Sequence, residues 1–118
     1  MIDIIPHVAE LLAPTGAQIE LSYQDTTVTF PLIVLSVPSN MATTNGGVEV
    51  FTRITVQIDA YASGKQNVTE LAQAIDAIMT PAGFTRSTAM PFTETFAERI
   101  MMQYTCVLDY SHQRIITT

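Results

Sequence analysis

Two long stretches of alternating apolar and polar residues lie on either side of one helical stretch. Residues 48–61 and 97–110 alternate with a period of two, which places successive side chains on opposite faces of a β-strand. Residues 67–80 repeat their apolar positions at helical spacing, which predicts an amphipathic helix. The apolar positions are Ile54, Val56 and Ile58 in the first strand, Val68, Leu71, Ala72, Ile75, Ile78 and Met79 in the helix, and Ile100, Met102, Tyr104, Cys106, Leu108 and Tyr110 in the last strand. This pattern predicts a sheet with a helix packed across it.

Start and stop signals mark two helices. An N-terminal helix is predicted over residues 2–13, with Asp3 as a candidate cap and residues 14–16, Pro-Thr-Gly, as its stop. The central helix is predicted to end near Thr80. Two capping boxes compete for its start, and they pair Ser63 with Gln66 and Asn67 with Glu70.

Shorter strands are predicted for residues 18–23, 27–37 and 84–90. Pro31 interrupts the second of them, and because proline has no N–H to donate, that strand is either an edge or broken by a bulge. Residues 38–47 have no apolar period and are rich in Gly, Asn and Ser, which predicts a long flexible loop. The loop is either a mobile hairpin tip or a projection that becomes ordered against a neighbouring subunit.

The order of these segments predicts one α+β domain over residues 1–110. We expect a mainly antiparallel sheet of four to five strands, with the N-terminal helix and the central helix packed on one face. The opposite face of the sheet is then solvated or in contact with another subunit. Residues 111–118 form a C-terminal tail that is either frayed or docked on a partner.

Composition narrows the class of protein. Apolar residues make up 47% of the 118 positions and charged residues only 14%, which excludes disorder and leaves much uncharged surface, as oligomers have. The net charge is −6, and the five Lys and Arg residues are scattered, so the basic surface that nucleic-acid binding needs is missing. The sequence contains no secretory signal and no apolar run that could span a bilayer. We therefore expect a soluble intracellular protein without membrane contacts.

No arrangement of residues indicates catalysis, a metal or a cofactor. His7 and His112 lie at opposite ends of the chain, and no zinc-ligand spacing is present. Cys106 falls on the apolar side of its strand and is expected to be buried and inert. Two carboxylate pairs are conceivable: Asp59 with Asp109 across paired strands on the outer face, and Glu94 with Glu98 in an exposed segment. No nucleophile or base accompanies either pair.

Several residues are candidate contacts with another subunit. Phe51 and Tyr61 lie on the polar side of their strand, where an exposed aromatic residue favours an interface, although a second packed layer explains them equally. Met101 and Met102 fall on opposite faces, so Met102 is expected in the core and Met101 at a contact surface. The candidate subunit-interface residues are Met41, Asn45, Gly46, Phe51, Arg53, Tyr61, Arg99 and Met101.

The order of motifs carries a family resemblance over roughly residues 1–110. After the N-terminal helix and a strand come Phe30-Pro31-Leu32-Ile33-Val34-Leu35, a glycine-rich loop, a long strand that ends in Ile58-Asp59-Ala60-Tyr61-Ala62-Ser63, a helix from about Asn67-Val68, Gly83-Phe84, and a last strand from Arg99 to Leu108-Asp109-Tyr110. This order resembles that of the tail-terminator or tail-completion proteins of long-tailed phages and phage-like particles, which include minor tail and neck proteins of the same fold.

The resemblance implies a structural role without catalytic residues. Proteins of this family form a ring, usually of six subunits, on the head-proximal end of the tail tube. The ring stops tube polymerisation and provides the surface that joins the head. The implied partners are further copies of the chain, the tail tube protein and a head-completion or neck protein. DNA passes through the ring without specific binding, and the implied location is the virion, or the host cytoplasm during assembly.

Two other functions stay open at this stage. One is a head-closure or neck connector protein of similar fold. The other is a small enzyme or ligand-binding α+β domain, which predicts a pocket with convergent polar groups.

Overall fold

The structure is a computed structural model that describes residues 3–21, 30–94, 96–109 and 114–116. In these residues the chain forms two α-helices, one short 3₁₀ helix and six β-strands. In chain order they are α1 (Ile5–Leu12), the 3₁₀ helix (Ala13–Thr15), β1 (Gln18–Glu20), β2 (Leu32–Asn45), β3 (Val48–Ala62), α2 (Lys65–Met79), β4 (Thr85–Thr93), β5 (Glu98–Asp109) and β6 (Arg114–Ile116).

One mixed sheet organises the described part of the chain. Its strand order is β1-β2-β3-β5-β4, and β6 pairs with the end of β5 that β4 does not reach. β1 is parallel to β2, whereas the remaining neighbours are antiparallel. Both helices share one hydrophobic cluster with the sheet. The predicted α+β fold, with a mainly antiparallel sheet and helices on one face, is confirmed.

The hairpin of β2 and β3 replaces the loop predicted over residues 38–47. β2 continues through this segment to Asn45, and only Gly46 and Gly47 form the turn. Their φ angles are 61° and 85°, as a two-residue type I′ turn requires. The loop prediction was wrong because pairing with β3 stabilises an extended backbone in residues that have no strand period of their own.

Pro31 lies immediately before β2 and does not interrupt it. A cis peptide bond joins Phe30 to Pro31, and β2 begins at the next residue. Residues 27–29 of the predicted strand lie outside the described residues, as does the end of the predicted strand over residues 18–23. Gln18 N donates a hydrogen bond to Pro31 O over 3.0 Å, so the entry to β2 is held by β1.

The start of α2 differs from both predicted capping boxes. The helix begins at Lys65, and its N-cap is Gly64, which has no side chain to accept a hydrogen bond. Asn67 Nδ2 instead donates 2.7 Å to Ser63 O. Gly64 has φ = 90°, a conformation that glycine adopts without strain, so the exit from β3 decides where the helix starts.

α1 ends as the sequence predicts, but it begins at Ile5 rather than at residue 2, and its N-cap is Ile4 rather than Asp3. Asp3 Oδ1 accepts a hydrogen bond from Ile5 N at 3.1 Å. The 3₁₀ helix follows α1 directly, and Gly16 closes it in the left-handed conformation at φ = 75°.

The core lies between the helices and the helix-facing side of the sheet. Alternate residues of β3 and β5 point into it, at the positions that the sequence predicts. Each fully buried aliphatic side chain contributes about 1.5–3 kcal/mol relative to an exposed one. Its central members are Val8 and Leu12 from α1, Ile54, Val56 and Ile58 from β3, Leu71, Ile75 and Met79 from α2, and Met102, Tyr104 and Cys106 from β5.

Asp76 connects α2 to the sheet through two polar contacts. The buried Tyr104 hydroxyl donates a hydrogen bond of 2.8 Å to Asp76 Oδ1, and Arg86 Nη1 lies 3.5 Å from the same oxygen. Burial raises the pKa of Tyr104, and the hydrogen bond to Asp76 raises it further. The phenol therefore stays protonated and keeps donating to the helix over the whole neutral range.

Two parts of the sheet extend beyond the strands that the sequence predicts: β4 is longer, and the C-terminal tail contributes β6. β4 does not stop before Pro91 but continues to Thr93, with Pro91 opposite Ile100. An edge strand tolerates proline because one side of its backbone needs no partner. In the predicted tail, Arg114–Ile116 pairs with β5 as β6, so these three residues belong to the sheet of their own chain and are not frayed.

The turn conformation gives a test of the hairpin. Gly46→Val forces a β-branched residue to φ = 61°, and we expect a loss of about 1–2 kcal/mol in the free energy of unfolding. A Cβ at this position meets no atom within 4 Å, so the loss comes from the backbone alone. Gly46→Asn is the matched control and should change stability little, because Asn tolerates this conformation. Urea unfolding measures both, and equal stability of the two variants would instead indicate a loose loop.

Candidate subunit interface on the outer face of the sheet

The outer face is the side of the sheet opposite the helices. Alternate residues of β3 point to it, including Arg53, Gln57, Asp59 and Tyr61. In the described part of the chain no helix covers this face. One end of it is nevertheless closed by a second, smaller hydrophobic cluster, formed by Leu32, Val34, Tyr61 and Ala97 with Phe30 beside them.

Tyr61 belongs to this second cluster and is only 7% exposed. Its ring lies 5.8 Å from the ring of Phe96, between centroids. The interpretation of Tyr61 as an exposed interface aromatic was wrong, and the alternative of a second packed layer explains its position. The sequence pattern places Tyr61 on the outer face but does not show that the segment after β4 folds back over that face.

Arg99 is the centre of this end of the outer face. Its Nε lies 3.0 Å from Asp59 Oδ1, and its Nη1 lies 3.1 Å from Glu94 Oε1. Its guanidinium lies 4.8 Å from the ring centroid of Phe92 and 5.9 Å from that of Tyr61. Cation–π contacts and charged hydrogen bonds therefore hold one side chain from several directions.

Burial and nearby negative charge shift the pKa of Arg99 in opposite directions. Burial acts to lower the pKa of Arg99, but the negative charge of Asp59, with smaller effects from Tyr61 and Glu94, outweighs it and raises the pKa. Asp59 is itself buried, so its carboxylate depends on Arg99 for a counter-charge. The pair has a structural function, and the sequence pattern revealed neither the burial nor the pairing.

Neither of the two carboxylate pairs that the sequence made conceivable is formed. Asp59 lies opposite Met101 and Asp109 lies opposite Phe51, so the two aspartates are far apart along β3 and β5. Glu94 binds Arg99, whereas Glu98 accepts a hydrogen bond from Thr93. Instead, the carboxylates of Asp59 and Glu94 both bind Arg99, and its positive charge neutralises part of theirs.

Amide side chains extend this network along the centre of the outer face. Gln103 Nε2 donates to Gln57 Oε1 at 3.2 Å, and Gln57 Nε2 donates to Asp59 Oδ2 at 3.0 Å. Gln57 and Gln103 are opposite each other in the β3–β5 register, so the strand pairing positions the chain of hydrogen bonds. The centre of the outer face is thus polar, ordered and almost uncharged.

Exposed apolar side chains surround Arg99 at this end of the sheet. Met90 is 47%, Phe92 38% and Phe96 44% exposed, although all three are large and apolar. We call these three residues, with Tyr61 and Arg99, the Arg99 cluster. Aromatic residues, Met and Arg are the types enriched at protein interfaces. Met90 and Phe92 lie two residues apart on β4, so their spacing in the sequence could have placed them on one face of a strand, whereas nothing in the sequence singles out Phe96.

The distal patch lies at the hairpin end of the same face. It consists of Met41, Phe51 and Arg53, of which Met41 lies directly opposite Arg53 and Phe51 is two residues away on β3. Met41 is 65% and Phe51 39% exposed, and Arg53 is exposed. The patch therefore presents two apolar side chains around one cation.

The remaining candidate interface residues have different positions. Asn45 and Gly46 lie at the hairpin turn, and the side chain of Asn45 is outside what the structure describes. Met101 is half-buried between Asp59 and Met90, whereas Met102 is in the core as predicted. The structure thus divides the eight predicted residues between the hairpin and the surroundings of Arg99.

The described ranges contain no metal-binding cluster. No group of three or more His, Cys, Asp or Glu residues could hold a metal ion there. His7 is exposed on α1, and His112 lies outside the described residues. Within the same ranges, no helix has the length and apolar content that crossing a bilayer requires.

No model of a protein family matches the sequence, and no curated protein matches it.

The Arg99 contacts lead to a stability prediction. Arg99→Gln leaves the buried Asp59 carboxylate without its cation, and we expect a loss of about 2 kcal/mol in the free energy of unfolding. The double variant with Asp59→Asn should lose less than Arg99→Gln alone, because a buried amide costs less than an unpaired carboxylate. Arg86→Gln, at a half-exposed ion pair, is the control and should cost less than about 1 kcal/mol. A double variant less stable than Arg99→Gln would contradict this account.

Cys106 gives a prediction about pH. Burial raises the pKa of its thiol from 9.0 to about 11. Between these values the unfolded chain has lost the proton that the folded chain keeps, so the free energy of unfolding falls as the pH rises through this window. Cys106→Ala should show a shallower fall than wild type, and the difference isolates the thiol because Tyr104 is unchanged. Equal slopes from urea unfolding at pH 8.5 to 11 would count against a buried, protonated thiol.

Proposed function

We propose that this protein is a structural component of a phage or phage-like particle. In this proposal it forms a ring that caps the head-proximal end of the tail tube, stops tube polymerisation and provides the head-joining surface. The observation that carries most weight is the outer face, which has large exposed apolar side chains at both ends and an ordered polar centre.

The exposure of these large apolar side chains supports a function in assembly. Monomeric proteins rarely leave contiguous apolar surface in water unless it binds something. The Arg99 cluster combines Phe, Met and Arg on a rigid sheet, and rigid side chains lose little conformational entropy when a partner covers them. The order of sequence motifs that resembles the tail-terminator family adds independent support.

The charge of the chain fits a channel through which DNA moves. A net charge of −6 opposes tight binding to the phosphate backbone, because like charges repel over the screening length of about 10 Å at 0.1 M salt. The proposed partners are other copies of the chain, the tail tube protein and a head-completion or neck protein. The proposed location is the virion, reached from the host cytoplasm.

Arrest of tube growth tests this function. Purified protein is added to polymerising tail tube protein, and tube lengths are measured by electron microscopy. We expect shorter tubes that carry a ring at one end, because a capped end accepts no further subunits. Tubes of unchanged length and without rings would contradict the proposal. Cross-links to the portal side in intact particles, without cross-links to the tube, would instead favour a head-closure or neck connector.

A matched pair of variants tests the outer face in the same assay. Phe92→Gln with Phe96→Gln removes the two exposed aromatic rings next to Arg99 and should abolish most capping activity. Leu21→Gln removes a side chain that is 67% exposed but lies at the end of β1, outside the Arg99 cluster, and should leave capping intact. Circular dichroism confirms that each variant is folded. Equal capping by both variants would exclude the Arg99 cluster from the contact.

A further inference from the structure

The basal groove lies at the end of the molecule opposite the hairpin turn. It has a volume of about 400 Å³ and lies between α2, the end of β3 and the start of β2. Its apolar lining includes Phe30, Pro31 and Leu71, and Glu70 is its one charged residue among those described. Binding pockets of roughly 300–1,000 Å³ hold ligands larger than one amino-acid side chain, so the basal groove has room for an apolar side chain of a partner.

Glu70 has no ion pair among the residues that the structure describes. It is exposed on α2, and its one described hydrogen bond is a 3.3 Å contact from the amide of Gln66. A single carboxylate beside apolar side chains favours a partner with one cation and apolar neighbours. The chain itself carries that combination in the distal patch.

Arg53 is the cation of the distal patch, and it also has no ion pair among the described residues. Arg86 and Arg99 both bind carboxylates within the subunit, which leaves Arg53 and Lys65 as the cations with described side chains that do not. Lys65 lies beside Phe92 in a different groove, away from Met41 and Phe51. Arg53 is therefore the described cation that combines an available positive charge with the exposed side chains of Met41 and Phe51.

One subunit cannot bring the two surfaces together. Arg53 and Ala62, which lines the basal groove, are nine residues apart on β3, or roughly 30 Å at the rise of a β-strand. Contact between them requires a second molecule. Because the two surfaces differ, the contact is heterologous, and heterologous contacts repeat until they close a ring or continue as a filament.

We propose that the distal patch of one subunit docks into the basal groove of the next copy of this chain. Arg53 faces Glu70 of its neighbour, and Met41 and Phe51 cover the apolar lining of the groove. This inference deepens the proposed function, on which its biological meaning rests, by naming the two surfaces through which successive subunits join. In a chain of net charge −6, one complementary pair at the contact also offsets the repulsion between copies.

Charge reversal tests this contact directly. Arg53→Glu and Glu70→Arg each place like charges together, and each should raise the apparent dissociation constant of the oligomer about tenfold or more. An equimolar mixture of the two variants should assemble nearly as wild type does, because every contact between unlike subunits is again complementary. Sedimentation velocity over a range of protein and salt concentrations measures the oligomers, and the effect should weaken at high salt.

Matched controls reverse the charge at exposed sites outside both surfaces. Lys65→Glu changes the net charge as Arg53→Glu does, and Glu10→Arg changes it as Glu70→Arg does. Both controls should assemble as wild type. All four residues are exposed, so circular dichroism and urea unfolding should confirm that the variants fold.

The outcomes separate this inference from the proposed function. Two single variants that assemble normally overturn the docking contact, even if wild-type protein still caps tubes. A mixture that recovers only to dimers overturns its heterologous nature, and a wild-type chain that stays monomeric at high concentration overturns the contact altogether. If the variants still form rings but no longer cap tubes, these surfaces contact the tube protein instead, and the proposed contact between copies is overturned. Failure of tube capping with intact charge-swap rescue would leave the contact standing and remove the phage function.

Discussion

The pairing of β3 with β5 is the constraint on which the rest of the structure depends. Every residue from Phe51 to Ala62 has a partner between Glu98 and Asp109, without a register shift. A shift of one residue would move the whole apolar set of one strand to the wrong face. The unbroken register therefore fixes the core on one side and the chain of hydrogen bonds from Gln103 through Gln57 to Asp59 on the other.

The two faces of this ribbon differ in composition, and among the described residues helices cover only one of them. On the helix side, closely packed aliphatic residues provide most of the stability, and Tyr104 connects the sheet to Asp76 on α2. On the outer face, Arg99 connects a buried aspartate, a loop glutamate and two aromatic rings. An ordered polar centre between two exposed apolar ends is a suitable surface for contact, because little has to rearrange when a partner binds.

The hairpin gives the molecule its length and separates its two ends. The described chain measures 50 × 27 × 23 Å, and a strand the length of β3 spans nearly all of the longest dimension. Surfaces at opposite ends of such a subunit cannot contact each other within that subunit. An elongated subunit with unlike ends is suited to repeated head-to-tail contacts, so the geometry is compatible with both the proposed ring and the proposed docking of the distal patch.

Periodicity in the sequence determined the two long strands, the central helix, the side of each strand that enters the core and the burial of Cys106 and Met102. These follow from local spacing, which an amphipathic element expresses whatever surrounds it. Tertiary structure decided the rest. Residues 38–47 became a strand because β3 supplied a partner, and Gly64 rather than a capping box began α2 because the chain had to turn out of the sheet. The burial of Tyr61 and Asp59, and the meeting of Asp59 with Glu94 at Arg99, depend on the segment after β4 folding back over the outer face. Such contacts join residues far apart in sequence, and no spacing along one strand can encode them.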